Sequence, residues 1–246
     1  MGQGPLLFAA ALLAFSSPAA AQPVDLQEAV LAGDVGAVRS FIAGGADLDE
    51  QGDLGTPLHV AALKDNAVIA AILLDAGADK EAAIERTGMR PLHVAASYDR
   101  PSVAALLLDR GAAVDAKEAS GQTPLLLVSK TGGADVARPL LDHGADVDAR
   151  DDHRASPLHY AARRGATAMA VLLLDHHAGI EATDVWGYTP VLEAARSGQS
   201  EMVELLVGRG ASLAVRGKEG ETPLMVTKVF SHQETADVLR RLGATE

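Results

Sequence analysis

Imidazole is the side chain best placed to shuttle protons near neutral pH or to hold a divalent metal. The 246-residue chain has eight of them: His59, His93, His143, His153, His159, His176, His177 and His232. There is no Cys, which removes thiol nucleophiles, Cys-ligated zinc, iron–sulfur clusters and disulfides together. A zinc site would need three or four convergent ligands. His143, His176 and His177 are the nearest approach to one, but spacing supplies no further ligand and no His-Glu-x-x-His string occurs. Asp75, Asp109, Asp142 and Asp175 recur once per repeat. Carboxylates that far apart cannot close a calcium cage, whose oxygens lie about 2.3–2.6 Å from the ion, so they read as a solvated face. No Gly-x-Ser-x-Gly elbow, phosphate-binding Gly-rich loop or dinucleotide fingerprint is present. The expectation is a protein that is not an enzyme and takes no metal or cofactor.

What positions these residues is a repeat. Thr56-Pro57-Leu58-His59 returns as Arg90-Pro91-Leu92-His93, Thr123-Pro124-Leu125-Leu126, Ser156-Pro157-Leu158-His159, Thr189-Pro190-Val191-Leu192 and Thr222-Pro223-Leu224-Met225, at intervals of 34, 33, 33, 33 and 33 residues. Gly-Ala-Asp or a near variant keeps step at Gly45, Gly77, Gly111, Gly144, His177, Gly210 and Gly243. Between them lie Ala-Ala pairs (61–62, 95–96, 161–162, 194–195) and Leu-rich runs. Pro suits the first turn of a helix, a preceding hydroxyl suits its cap, and Gly suits the residue after a helix end. Only eight aromatics occur, so the core must be thin layers of Ala, Leu and Val.

Period and Thr-Pro-Leu-His string together resemble the ankyrin repeat over about residues 24–246. The resemblance implies an all-α solenoid of stacked helix-turn-helix units with short β-turn or hairpin fingers. Seven units are expected: an N-terminal cap (24–50), then 51–84, 85–117, 118–150, 151–183, 184–216 and a C-terminal 217–246. It also implies that His59, His93 and His159 make structural hydrogen bonds within and between turns. Unit 4 departs from the pattern, with Val128-Ser129 for Ala-Ala and Pro139 inside its second helix, and is expected to be the weakest layer.

In such proteins the turn residues and the two residues after Ala-Ala vary and line a concave binding surface. Here those places hold Trp186, Tyr188, Tyr98, Phe230, Arg163, Arg164, Arg196 and, in the preceding turn, His153. Aromatics interleaved with Arg are the usual material of interface hot spots. The expected function is a non-catalytic protein–protein interaction module that binds a protein partner through this face. Alternatives are a stress- or chaperone-like accessory protein and, less in keeping with the motifs, a metal-dependent hydrolase. Positive charge on a chain of formal charge −12 suggests a partner with an acidic surface and a monomer that does not self-associate through this face. Reversing the Arg trio is expected to leave the fold undisturbed. An acidic chain also disfavours nucleic acid and anionic membrane.

Residues 1–21 belong to a different kind of segment. Leu6–Phe15 is an uninterrupted apolar run, followed by Pro18 and the small residues Ala19-Ala20-Ala21. A run of that length is short of the roughly 20 residues of a membrane span, and Ala-x-Ala is what a signal peptidase accepts. A signal peptide over 1–21 implies a periplasmic or secreted protein with no membrane insertion after cleavage. N-terminal sequencing of exported protein should begin at Gln22; material that still starts at Met1 or Gly2 would refute this.

Overall fold

A computed structural model describes residues 23–245. The expected signal segment and its cleavage point lie outside the described residues. Among those described, fourteen helices form seven antiparallel pairs. Unit 1 holds α1 (Leu26–Ala32) and α2 (Val35–Ala43), and unit 2 holds α3 (Pro57–Leu63) and α4 (Ala67–Asp75). Unit 3 holds α5 (Pro91–Ser97) and α6 (Pro101–Asp109), and unit 4 holds α7 (Pro124–Thr131) and α8 (Ala134–Asp142). Units 5, 6 and 7 hold α9 (Pro157–Arg164) with α10 (Thr167–Asp175), α11 (Pro190–Arg196) with α12 (Ser200–Gly208), and α13 (Pro223–Val229) with α14 (Gln233–Arg241). No described helix is long and apolar enough to cross a membrane.

Helices this short are marginal alone, so their stability is tertiary. Leu58, Leu92, Leu125, Leu158, Val191 and Leu224 form one column of first-helix residues, all buried. Leu73, Leu107, Leu140, Leu173, Leu206 and Leu239 form the matching second-helix column, all fully buried. Each such side chain contributes about 1.5–3 kcal/mol when covered, and only the neighbouring unit can cover it. The four Ala-Ala pairs have no exposed surface, as close approach of successive first helices requires. Val128 and Ser129 are equally buried in unit 4; the Ser129 hydroxyl donates back to the Leu125 carbonyl at 2.7 Å. Thr227 does the same to Leu224 at 2.8 Å in unit 7, whereas the next residue, Lys228, turns to the exposed outer face.

Polar stitches set the register between layers. In units 2, 3 and 5 the Nδ1 atom of His59, His93 or His159 accepts the backbone N–H of Thr56, Arg90 or Ser156. The Nε2–H of the same ring donates onward to a carbonyl, in the next unit at Met89 for His59 and Tyr188 for His159, and at Ala116 near the end of its own unit for His93. One imidazole thus caps its own helix and ties down the following turn. Burial holds all three neutral, His59 down to about 4, against ordinary values of 6.5. Asp65 reaches over to cap α6 at Val103 N–H, and Arg100 Nε donates to the Leu63 carbonyl. Successive fingers are joined by single backbone bonds such as Val185 N–H to His153 O and Lys218 N–H to Trp186 O. The Asp column meets basic side chains of the next unit in an exposed ladder, Asp75 with Arg110, Asp109 with His143, Asp175 with Arg209. Such exposed pairs contribute little each.

Two positions carry backbone strain or loss. His177 sits at a φ of +67° where the other units have Gly, a left-handed conformation that disfavours a side chain. Pro139 lies inside α8, which nonetheless keeps its nine residues. The equivalent residues elsewhere are Ile72, Leu106, Leu172, Leu205 and Val238. An interior Pro removes one helical bond and costs about 3 kcal/mol relative to Ala. Pro139→Leu should therefore raise the denaturation free energy by about 1–3 kcal/mol and slow amide exchange across α7 and α8. A midpoint that falls, or an exchange pattern unchanged in unit 4, would show that the helix has adapted fully to the proline.

Candidate functional site

The fingers of units 4 to 6 share a construction that starts from one acidic residue. Glu118 Oε1 accepts the N–H groups of Ser120 and Gln122, and Asp151 Oδ1 those of His153 and Ala155. Asp184 Oδ1 accepts those of Trp186 and Tyr188, both at 2.9 Å. In unit 6 this carboxylate is buried, and it presents Trp186 outward from a fixed turn, 48 % exposed. The indole leans on His153 of the preceding finger with ring centroids 5.3 Å apart. The Tyr188 ring rests over Gly217, where a Cβ atom would lie 2.5 Å from Cε1, and its hydroxyl donates to Glu221 Oε1 at 2.9 Å. Burial, then the Glu221 carboxylate, pushes the Tyr188 phenol up to about 12.

Behind the fingers, one position on the first helices reads Val60, Val94, Leu127, Tyr160, Glu193 and Val226. Glu193 is a carboxylate in an apolar column, 1 % exposed. It is held by two guanidinium groups: Arg163 Nε at 3.1 Å and Arg196 Nη2 at 2.8 Å from Oε2. Arg163 also reaches Oε1 at 3.3 Å. The cations interleave with rings. Arg163 lies 5.3 Å and Lys130 Nζ 4.6 Å from the Tyr160 centroid, and Arg196 lies 6.0 Å from both Tyr188 and Phe230. The Tyr160 hydroxyl donates to Asp151 Oδ2, and burial followed by that carboxylate raises its phenol strongly.

The residues singled out from the sequence therefore divide. Arg163, Arg196, Tyr188 and Phe230 come together around Glu193, and Trp186 pairs with His153. Arg164 is exposed and leans towards Gly132 of the preceding unit. Tyr98 does not join them: it is half-buried against the core, four units from Phe230, or about 40 Å at about 10 Å per layer. The electrostatic expectation needs correction as well. Arg163 and Arg196 are not free charges waiting for a partner, because Glu193 already takes both. Reversing them would disturb the fold. Glu193, Tyr160, Asp184 and Lys130 were missed; the signal was Glu193's departure from its column, visible only once the repeats are aligned.

The arrangement offers no reacting atom to a substrate. Ser156 Oγ lies 2.7 Å from His159 Nδ1, the geometry of a nucleophile and base, but Ser156 is fully buried and Nε2 is spent on a carbonyl. Thr56 and His59 repeat the pair at 2.9 Å in another unit, which marks it as architecture. His143 turns Nδ1 to its own helix at the Pro139 carbonyl, and no group of three metal-ligating side chains forms among the described residues.

Comparison with known proteins follows the same line. Models of ankyrin repeats match residues 26–118 and 172–245 as arrays of three copies, 140–191 as an array of many copies and 120–152 as a single repeat. The chain belongs to the ankyrin-repeat family. Among solved structures, the ankyrin repeat domain of Bcl-3, described as a unique member of the IkappaB protein family, is 30 % identical with a TM-score of 0.75. That likeness covers 91 % of this chain and 100 % of the other. No curated protein matches the chain. Ankyrin repeats are general protein–protein interaction modules, and this ankyrin array differs from a bare scaffold in the charge cluster on α9 and α11.

Removing one member of a buried ion pair costs about 3–5 kcal/mol when the other charge stays buried. Both arginines are about a third exposed and can regain water, so removing the acid should be mild and reversing a base severe. Glu193→Val, the residue of units 2, 3 and 7, should change unfolding free energy by about 1 kcal/mol or less. Arg163→Glu should lose about 3 kcal/mol or more by facing Glu193 with a like charge. Equal effects in urea titrations would remove the cluster from the fold's support.

Proposed function

We propose that this ankyrin array is a non-catalytic binding module that takes a protein partner on the face shared by its fingers and first helices, centred on units 5 to 7. The observation that carries this reading is the exposure of Trp186, held outward by the Asp184 turn, on the same side as Phe230 and Val229 of unit 7. Large rigid aromatics on fixed backbone lose little entropy on binding and anchor interfaces.

Charge distribution supports an acidic partner in spite of the paired arginines. The fingers 117–122, 150–155, 183–188 and 216–221 with helices α7, α9, α11 and α13 carry ten Lys or Arg against seven Asp or Glu. The whole chain carries 21 against 33, so positive charge is concentrated here. Two of those seven acids, Asp184 and Glu193, are buried. The partner's carboxylates would be steered to Lys130, Arg154, Arg164 and Lys218, while its apolar groups meet Trp186 and Phe230. The apolar run and Ala-x-Ala of residues 6–21 support export, which would place the partner in the periplasm or outside the cell.

A pull-down from the envelope fraction should identify the partner. Trp186→Ala should then weaken its binding by about 2–4 kcal/mol, and Phe230→Ala by a similar amount, with no loss of helical signal. Glu204→Ala, on the second-helix side in a surface pair with Arg241, should have no effect. Unchanged affinity for Trp186→Ala beside a loss for Glu204→Ala would move the site to the other face.

A further inference from the structure

His159 differs from the other two capping histidines in what it ties down. His59 and His93 bond Met89 and Ala116, whereas His159 Nε2–H donates to the carbonyl of Tyr188, in the finger that carries Trp186. We propose that His159 is an acid-released latch: on its protonation the 184–188 finger detaches from α9, so the aromatic face is presented at neutral pH and withdrawn in mild acid. The consequence for binding rests on the function proposed above; the latch itself does not.

The geometry works through Nδ1. That atom accepts the Ser156 N–H at 3.2 Å and lies 2.7 Å from the Ser156 hydroxyl. A proton on Nδ1 sets a donor against a backbone donor, and the conflict is relieved when the ring leaves the cap and drops the Tyr188 carbonyl. The charged groups facing the ring are Asp184 and Glu193 from unit 6, which favour the imidazolium, and Arg150, the last residue of unit 4, which opposes it. Opening also breaks two backbone bonds, Val185 to His153 and Lys218 to Trp186, and the Tyr188 hydroxyl bond to Glu221, so the unit opens locally rather than globally.

The sign follows from linkage. Burial holds the closed-state histidine below 6.5, and an opened finger returns it to that value in water. The open state therefore binds the extra proton. Below about pH 6.5 each unit of acidification favours opening by up to tenfold, until the closed form itself takes the proton.

Trp186 is the single tryptophan of the chain and reports the finger directly. The His153 ring lies against the indole, so the measurement belongs in a His153→Gln background that removes this contact. Between about pH 7 and about pH 5, Trp186 emission should shift to the red and acrylamide quenching should rise severalfold, with the far-ultraviolet helical signal unchanged. His159→Leu, which places in unit 5 the residue that units 4 and 6 have as Leu126 and Leu192, should abolish the response, and His159→Gln should do the same if the leucine variant folds poorly. His59→Leu should leave it intact. Emission that is flat over this range, a response that survives both His159 variants, or emission that moves only with loss of helix would overturn the latch. Partner affinity measured at about pH 7 separates the two readings. If it is insensitive to Trp186→Ala while emission still titrates, the latch stands and the binding face falls.

Discussion

Apolar layers that only a neighbouring layer can cover are what the rest of this ankyrin array depends on. Leu58, Leu73 and their equivalents face the adjoining unit, and the Ala-Ala pairs bring successive first helices close enough to exclude water. Because no helix in the stack is long, nothing local would hold it if the layers parted. The same dependence explains why unit 4 tolerates Val128, Ser129 and Pro139. Its layer residues stay buried between units 3 and 5, and the neighbours hold the helix through its missing bond.

Apolar stacking is not directional, so the register between units comes from polar groups placed at layer edges. A histidine that accepts from its own N-cap and donates to the next turn can do so in one orientation only. Asp65 and Arg100 bridge units 2 and 3, and Asp184 shapes the unit 6 finger by the same kind of constraint. The histidines and Asp184 are shielded from water, which strengthens their bonds and makes a wrong register costly.

The proposed binding face lies where the repeat departs from its own pattern. Unit 6 replaces an apolar residue by Glu193 and places Trp186 at a finger position that is polar in units 3, 4, 5 and 7. The carboxylate fixes Arg163 and Arg196 among Tyr160, Tyr188 and Phe230, so the surface beside the indole is rigid before any partner arrives. Binding to a pre-organised surface loses less side-chain entropy than binding to free arginines would.

The repeat period, the capping Thr-Pro string and the Ala-Ala and Leu columns were legible in the sequence, because they are local or strictly periodic and one dimension suffices to show them. The aromatics of the proposed binding face were visible for the same reason, as breaks in a period. What the tertiary structure decided was which of these side chains meet. Tyr98 and Phe230 share a register position but stand four layers apart, so sequence grouped what space separates. Arg163 and Glu193 lie 30 residues apart yet touch, and that contact ties two of the expected free cations, each about a third exposed, to one buried carboxylate. Charge pairing across layers depends on how far a long side chain reaches sideways, and the stacking distance that sets this reach is fixed by packing rather than by residue spacing.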